Sequence, residues 1–157
     1  MMPMTPDPSA AAQARQLLAG ARHAALAYLA PDRAPGISRI AFGLDAAGVP
    51  VSLISALTQH VPALRLHPVC ALMVGGVGTK GDPLTHPRLM IRAEAIFIAP
   101  DDPARPGLRA KWLAEHPKSK LYADFADFGF VRFDTISALL NAGFGRAHNL
   151  SAADLMP

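Results

Sequence analysis

Apolar segments follow one another along most of the chain, and turn residues separate most of them. The segments are 23–30, 37–45, 50–55, 69–74, 88–99 and 130–140. Strands joined by short turns pair as antiparallel neighbours, whereas a parallel sheet needs a helix between successive strands. The order therefore predicts an α+β fold built on an antiparallel β-barrel, and it argues against an alternating Rossmann sheet.

Helical signals are confined to short segments that flank the strands. Residues 10–21 carry apolar side chains at helical spacing, Ser9 or Asp7 is placed to cap them, and Gly20 marks their end. A second short helix is predicted over 58–66, and a third follows Asp102 and ends near Glu115. Residues 117–128 are predicted as a short helix and a turn. The resulting organisation is a disordered tail over 1–8 and a single domain over 9–157.

The segment 75–89, GGVGTKGDPLTHPRL, raises the question of a phosphate-binding loop, because four glycines surround Lys80. Such a loop needs a Ser or Thr after the lysine and opens onto a helix. Here Gly81 follows Lys80, and the residues after the loop are strand-like. The segment is therefore interpreted as a long connection between two strands.

Composition excludes several other classes of protein. The chain has 157 residues, 51% of them hydrophobic and 17% charged, which favours one globular domain. The chain has no apolar span of 18 residues, so no membrane helix is predicted. The basic residues are scattered and do not predict nucleic-acid binding. The six histidines and Cys70 show no zinc-ligand spacing, so no metal centre is expected. The start has no signal-peptide pattern and the single cysteine cannot form an internal disulfide, which predicts a cytoplasmic location.

Arg39 interrupts a segment that is otherwise suited to burial. A buried arginine needs a negatively charged partner, because an unpaired buried charge is very costly. Two interpretations are open: Arg39 binds an anionic ligand, or it pairs with an Asp or Glu at the edge of the barrel.

Two further stretches have the chemistry of a ligand site. Ser55, Thr58 and His60 lie where a strand leads into a helix, and hydroxyls and free N–H groups there can bind an anion. The alternative is that Ser55 and Thr58 are ordinary helix caps. In 143–149, GFGRAHN, the glycines allow close approach of a ligand beside Phe144 and Arg146; a hairpin turn is the alternative.

Together, the motifs SRIAFGLD, LISALTQHVPALRLHP, KGDPLTHPRLMIRAEA, WLAEHPKSKLYADFADF and GFGRA resemble one family. It is the pyridoxamine 5′-phosphate oxidase-like family of FMN-binding split barrels, and the similarity is greatest to its branch of haem-iron utilisation proteins. The resemblance extends from about residue 14 to 155. It implies an antiparallel split β-barrel with short flanking helices, and a homodimer that binds FMN at its interface.

The resemblance also implies a set of cofactor-binding residues. The strand over 38–42 would line the flavin ring, and Ser55 and His60 would lie at its phosphate. Val61 departs from the family pattern, in which Thr, Ser or Lys is usual, so one phosphate contact is expected to be missing. The candidate cofactor-binding residues are Ser38, Arg39, Ile40, Ala41, Ser55, Thr58, His60, Arg88, Phe144 and Arg146.

Pyridoxamine-phosphate oxidation is not expected. The oxidases bind the substrate phosphate with a tyrosine, an arginine and a serine, and these positions correspond here to Trp112, His116 and Lys120. The expected function is that of an FMN-binding oxidoreductase acting on a small molecule that the sequence does not name. The alternative is a non-catalytic haem- or flavin-binding protein. Haem would then bind through His86, His116 or His148, unless these are surface histidines without a ligand role.

Overall fold

A computed structural model of the protein describes residues 8–157. The helices are α1 (Pro8–Gly20), α2 (His60–Leu66), α3 (Arg105–Glu115) and α4 (Ala152–Leu155). The strands are β1 (His23–Leu29), β2 (Pro35–Ala41), β3 (Gly43–Leu44), β4 (Pro50–Ser55), β5 (Val69–Val74), β6 (Arg88–Phe97), β7 (Phe128–Gly143) and β8 (Arg146–Leu150). Of the tail predicted over residues 1–8, all but Pro8 lies outside the described residues.

The strands form one antiparallel sheet in the order β2-β1-β5-β6-β7-β4-β3, with β8 paired to β7. The sheet curls until β2 approaches β4, where the Ser52 hydroxyl donates a hydrogen bond to the Ala41 carbonyl at 2.5 Å. This curl produces a barrel that is split beside β2. The predicted antiparallel split barrel with short flanking helices is confirmed.

The segment predicted as one strand over 37–45 is two strands that pair with different neighbours. β2 pairs with β1, and β3 pairs with β4. The break falls at Phe42, whose N–H donates to the Arg22 carbonyl and whose ring is fully buried. The apolar pattern does not reveal this corner, because Ile40, Phe42 and Gly43, which lie on both sides of the break, are all buried.

The concave side of the sheet encloses the main core, which α1 covers. Ala14 and Leu18 of α1 pack there with Leu26, Ile91 and other apolar residues of the strands. A second cluster joins α3 to the sheet through Trp112 and Phe130. Among residues 8–157, no helix is both long enough and apolar enough to cross a membrane.

Several boundaries differ from those predicted, and two of these differences change an element's extent or add a strand. α3 begins at Arg105 and not directly after Asp102, because Asp102 accepts from the Ala104 N–H and caps a preceding turn. The predicted final strand, 130–140, extends to Gly143 and continues into β8, which the sequence analysis did not predict as a strand. The hairpin turn considered for 143–149 is therefore confirmed as the local structure, with Gly143 and Gly145 at positive φ.

Candidate functional site

The convex side of the sheet carries a depression that we call the outer-face trough. It has a volume of about 320 Å³, and its outward-facing residues are His23, Ala25, Ile37, Arg39, Met73 and Gly75. The strand register explains how they meet: Ala25 on β1 pairs with Arg39 on β2 and with Met73 on β5. Since side chains two residues apart share a face, His23 lies beside Ala25, and Ile37 lies beside Arg39.

Arg39 is exposed at the rim of this trough. The expectation that burial forces it to find a charged partner is wrong, because alternate residues of β2 face outward and Arg39 is one of them. The ion pairs formed within residues 8–157 do not include it. Arg39 is therefore a cation that a ligand with negative charge can reach.

A second depression of about 370 Å³ adjoins the trough and shares His23 and Gly75 with it. It lies between the end of α1 and the start of the long loop. Gly75 has a φ of 111°, and a Cβ there would lie 2.6 Å from the Pro87 carbonyl oxygen. Only glycine lets the two ends of the loop approach so closely beside the trough.

The structure brings Arg88 to the same end of the outer face. Leu89 pairs with Val74, so Arg88 stands next to Gly75. Its guanidinium donates to the carbonyls of Leu84 and His86 at 3.1 and 3.3 Å and so holds the loop in place. Phe144 and Arg146 are both exposed. Phe144 lies in the turn between β7 and β8, and Arg146 is the first residue of β8.

The residues predicted to bind a phosphate form a separate group. The Ser55 hydroxyl donates to Asp127 Oδ2 at 2.5 Å and accepts from the Leu57 N–H at 3.1 Å. The Thr58 hydroxyl donates to the Ser55 carbonyl at 2.7 Å. Both hydroxyls are thus engaged, and the Asp127 carboxylate places a negative charge beside Ser55 that would repel a phosphate.

His60, the first residue of α2, lies inside the barrel and is only 7% exposed. Its Nδ1 atom is 3.1 Å from the Ser38 hydroxyl, and burial lowers the pKa of its imidazole. The ring is therefore biased toward the neutral form, which is a poor partner for a phosphate. Val61 is also buried in the core, so a hydroxyl at this position would not face a ligand outside the barrel.

The remaining predicted residues of β2 face different ways. Ser38 points inward toward His60, and Ile40 is buried in the core. Ala41 is half-buried and accepts the Ser52 hydroxyl through its carbonyl. Of the predicted residues on this strand, Arg39 therefore has the side chain that reaches the outer face.

The structure also shows two features that sequence reasoning missed. His23, Ala25 and Met73 line the outer-face trough, and the Asp127 carboxylate accepts a hydrogen bond from Ser55, a predicted phosphate ligand. The alternation in HAALAY would have placed His23 and Ala25 on one face. No local signal indicated that Asp127, more than 70 positions away, contacts Ser55, because this contact depends on the pairing of β4 with β7.

The chain thus forms an antiparallel split barrel with a trough on its outer face. No family model matches the chain. One solved structure is 42% identical, with a TM-score of 0.88, covering 98% of this chain and 99% of that chain. A haem binding protein from Mycobacterium smegmatis is 25% identical with a TM-score of 0.85, covering 96% of this chain and 61% of that one.

A chloroplast haem oxygenase of Arabidopsis thaliana, HOZ, is 31% identical over 100 residues. These are 64% of this chain and 29% of HOZ, so the chain spans under a third of that relative. A Clostridium acetobutylicum protein of the pyridoxinephosphate oxidase family shares the fold at 12% identity, with a TM-score of 0.72. These similarities confirm the resemblance to the pyridoxamine 5′-phosphate oxidase-like split barrels in fold, and to haem-binding and haem-utilisation proteins in sequence.

Proposed function

We propose that the protein binds haem in the outer-face trough. The observation that carries this proposal is an apolar floor next to a cation that has no ion-pair partner within residues 8–157. Ala25 and Gly75 form the floor of the trough and have little or no side chain, and the apolar side chains of Ile37 and Met73 border this floor. A flat apolar macrocycle with carboxylate side chains needs this combination of a shallow apolar surface and a positive charge at its edge.

The side chains around the trough suit the parts of a haem. Arg39 would bind a propionate through its guanidinium, which donates paired hydrogen bonds to carboxylates. Ile37 and Met73 would contact the macrocycle and exclude water from it. An iron porphyrin supplies redox and oxygen chemistry when it is bound, and the protein contributes orientation and electrostatics. The similarity to HOZ and to the mycobacterial haem binding protein supports this choice of ligand.

Flavin is the second candidate, because the small residues of β1 would also accept an isoalloxazine ring and the fold is that of a flavin-binding family. The phosphate of FMN is the weak point of this alternative. Its predicted partners Ser55 and Thr58 are engaged in the turn, and Asp127 adds a negative charge beside them. Any flavin would thus be held through its ring and not through a phosphate at Ser55.

We further propose that the functional unit is a homodimer. Leu29, Ile37, Val69 and Met73 are exposed apolar side chains that share the outer face of β1, β2 and β5. A contiguous exposed apolar patch on a folded chain marks an interaction surface. A second copy packed on this face would cover the patch and enclose the trough. An oxidoreductase role, if the dimer has one, would rest on the bound group.

An absorption spectrum of the purified protein, followed by titration with ferric haem, FMN and riboflavin, tests the proposal. We expect a Soret band that shifts on binding and saturates at one haem per chain. Tight binding of FMN without any binding of haem would favour the flavin alternative. Binding of neither ligand would contradict the proposed function. Loss of the Soret band on addition of a reductant in air would then distinguish catalysis from storage.

A further inference from the structure

The six histidines of the chain differ sharply in their availability to a ligand. Both ring nitrogens of His86 are engaged, because Nδ1 accepts from the Gly78 N–H at 2.6 Å and Nε2 lies 2.7 Å from the Lys80 carbonyl. The His116 ring stacks on Trp112 with a centroid distance of 4.0 Å, and its Nδ1 is buried. The ring of His86 is therefore engaged within the long loop, and the ring of His116 packs against the second core cluster.

Two others are buried, and a third, His67, is half-buried at the end of α2 and does not line the trough. His60 is 7% exposed and His148 is 4% exposed. His67 is half-buried, with its Nε2 atom out of contact with solvent. A haem iron on the outer face cannot reach a ring that lies inside the barrel.

His23 is the remaining histidine, and it stands in the trough. It is exposed, it lines both depressions, and its ring makes no hydrogen bond within residues 8–157. It lies two residues from Ala25 on the same face of β1, and Ala25 pairs with Arg39. An imidazole and a guanidinium therefore flank the same apolar floor, separated by about 7 Å along the strand and one strand spacing across it.

The other side chains that ligate haem iron in proteins are Cys, Tyr and Met. Cys70 is buried, and burial raises the pKa of its thiol to about 12, so it stays protonated. Tyr28 packs against Gly36 and His60, and Tyr122 contacts Ser119. Among the residues that line the trough, the thioether of Met73 is the side chain that could compete with His23 for the iron.

We infer that the imidazole of His23 would supply the protein ligand to the haem iron, while Arg39 would bind a propionate. This inference rests on the proposed function. Neutral imidazole is the commonest protein ligand for iron in a porphyrin, and an exposed unpaired ring needs no rearrangement to coordinate it.

The test compares ferric haem with iron-free protoporphyrin IX. His23→Ala should weaken ferric haem binding by about tenfold or more and should change the Soret position and the electron paramagnetic resonance spectrum. It should leave protoporphyrin binding unchanged, because that ligand has no iron to coordinate. Free imidazole should restore the wild-type spectrum to the haem-loaded His23→Ala protein. Circular dichroism checks that the variant folds, and His23→Gln provides a second substitution at the same exposed position.

The outcomes separate the inference from the proposed function. If wild-type protein binds neither ferric haem nor protoporphyrin, both fail. If it binds ferric haem and His23→Ala leaves the spectrum and affinity unchanged, the inference alone fails. If Met73→Leu changes the spectrum and His23→Ala does not, the ligand is the thioether and the assignment of His23 is overturned.

Discussion

The Nδ1 atom of His60 lies 3.1 Å from the hydroxyl oxygen of Ser38, and this contact fastens α2 to the edge strand β2 beside the split of the barrel. The ring also meets Tyr28 edge-on, with centroids 6.2 Å apart. Its Nε2 atom is buried without a partner among the described residues. A proton added to this ring would create a charge that the surrounding apolar residues cannot stabilise.

This arrangement predicts that the protein loses stability as the pH falls. Burial lowers the pKa of His60 from its ordinary value of 6.5. The unfolded chain therefore takes up a proton near that value while the folded protein resists it. The stabilisation is fully present above 6.5 and is lost as the pH falls through the lowered pKa of the folded state. Urea unfolding at about pH 8 and about pH 5 measures the difference.

His60→Gln is the matched control, because glutamine retains a hydrogen-bonding group for Ser38 but does not titrate. The variant should be less stable than the wild type at high pH and should lose less stability between the two pH values. An identical pH dependence in both proteins would show that other groups cause the acid sensitivity.

Much of the fold could be predicted from the sequence, because local apolar patterns indicate most of the strands. The extents of β4 (50–55) and β5 (69–74) were predicted as the structure has them. The corner at Phe42 was not, since a strand that changes its partner keeps the same apolar character. β8 was also missed, because RAHNL has no strong β-sheet pattern and gains its pairing from β7.

The candidate site was less predictable, because it depends on which way each side chain of β2 points. The motif SRIAFG identifies the strand, yet only pairing with β1 places Arg39 outward and Ser38 inward. His23 gave no signal on its own, since a single histidine at the start of a strand is common. Its significance comes from the trough, to which β1, β2 and β5 all contribute.

A second prediction concerns the contact of Asp127 with Ser55. If this carboxylate repels a phosphate, the wild type should bind FMN no more tightly than riboflavin. Asp127→Asn keeps an oxygen for the Ser55 hydroxyl but removes the charge. It should favour FMN over riboflavin by up to about 1 kcal/mol, roughly fivefold, because Asp127 is only half-buried. Fluorescence titration with both flavins gives the ratio, and a strong preference of the wild type for FMN would contradict the idea.

Val61→Thr provides a third prediction, because Val61 packs in the main core and is 3% exposed. The substitution should lower the free energy of unfolding by about 1–2 kcal/mol, since it buries a hydroxyl in place of a methyl group. It should not improve FMN binding. Leu66→Thr, at an exposed position of the same helix, is the control for a change of helix propensity. A gain in FMN affinity without loss of stability would place position 61 at a ligand.

Arg39→Ala separates ligand binding from stability. Arg39 is exposed and forms no ion pair within residues 8–157, so its removal should change the free energy of unfolding by less than about 0.5 kcal/mol. Haem affinity should fall by about tenfold through loss of the carboxylate contact. The affinity for a porphyrin whose carboxylates are esterified should change little. Lys118→Ala removes a cation elsewhere on the surface, and an equal loss of haem affinity there would indicate a non-specific charge effect.

The last prediction concerns the dimer. Ile37 is 79% exposed on the outer face, next to Arg39 and across β1 from β5. If a second copy covers this face, light scattering should give about twice the chain mass of 16.6 kDa. Ile37→Glu would bury a charge in that interface, so it should yield monomers at micromolar concentration without unfolding the chain.

Leu57→Glu changes a similarly exposed leucine that lies off this face, and it should leave the dimer intact. Monomeric wild-type protein, or dissociation caused by Leu57→Glu and not by Ile37→Glu, would show that the copies do not meet on the outer face. Because Ile37 also borders the trough, the Ile37→Glu variant should bind haem more weakly than the wild type as well.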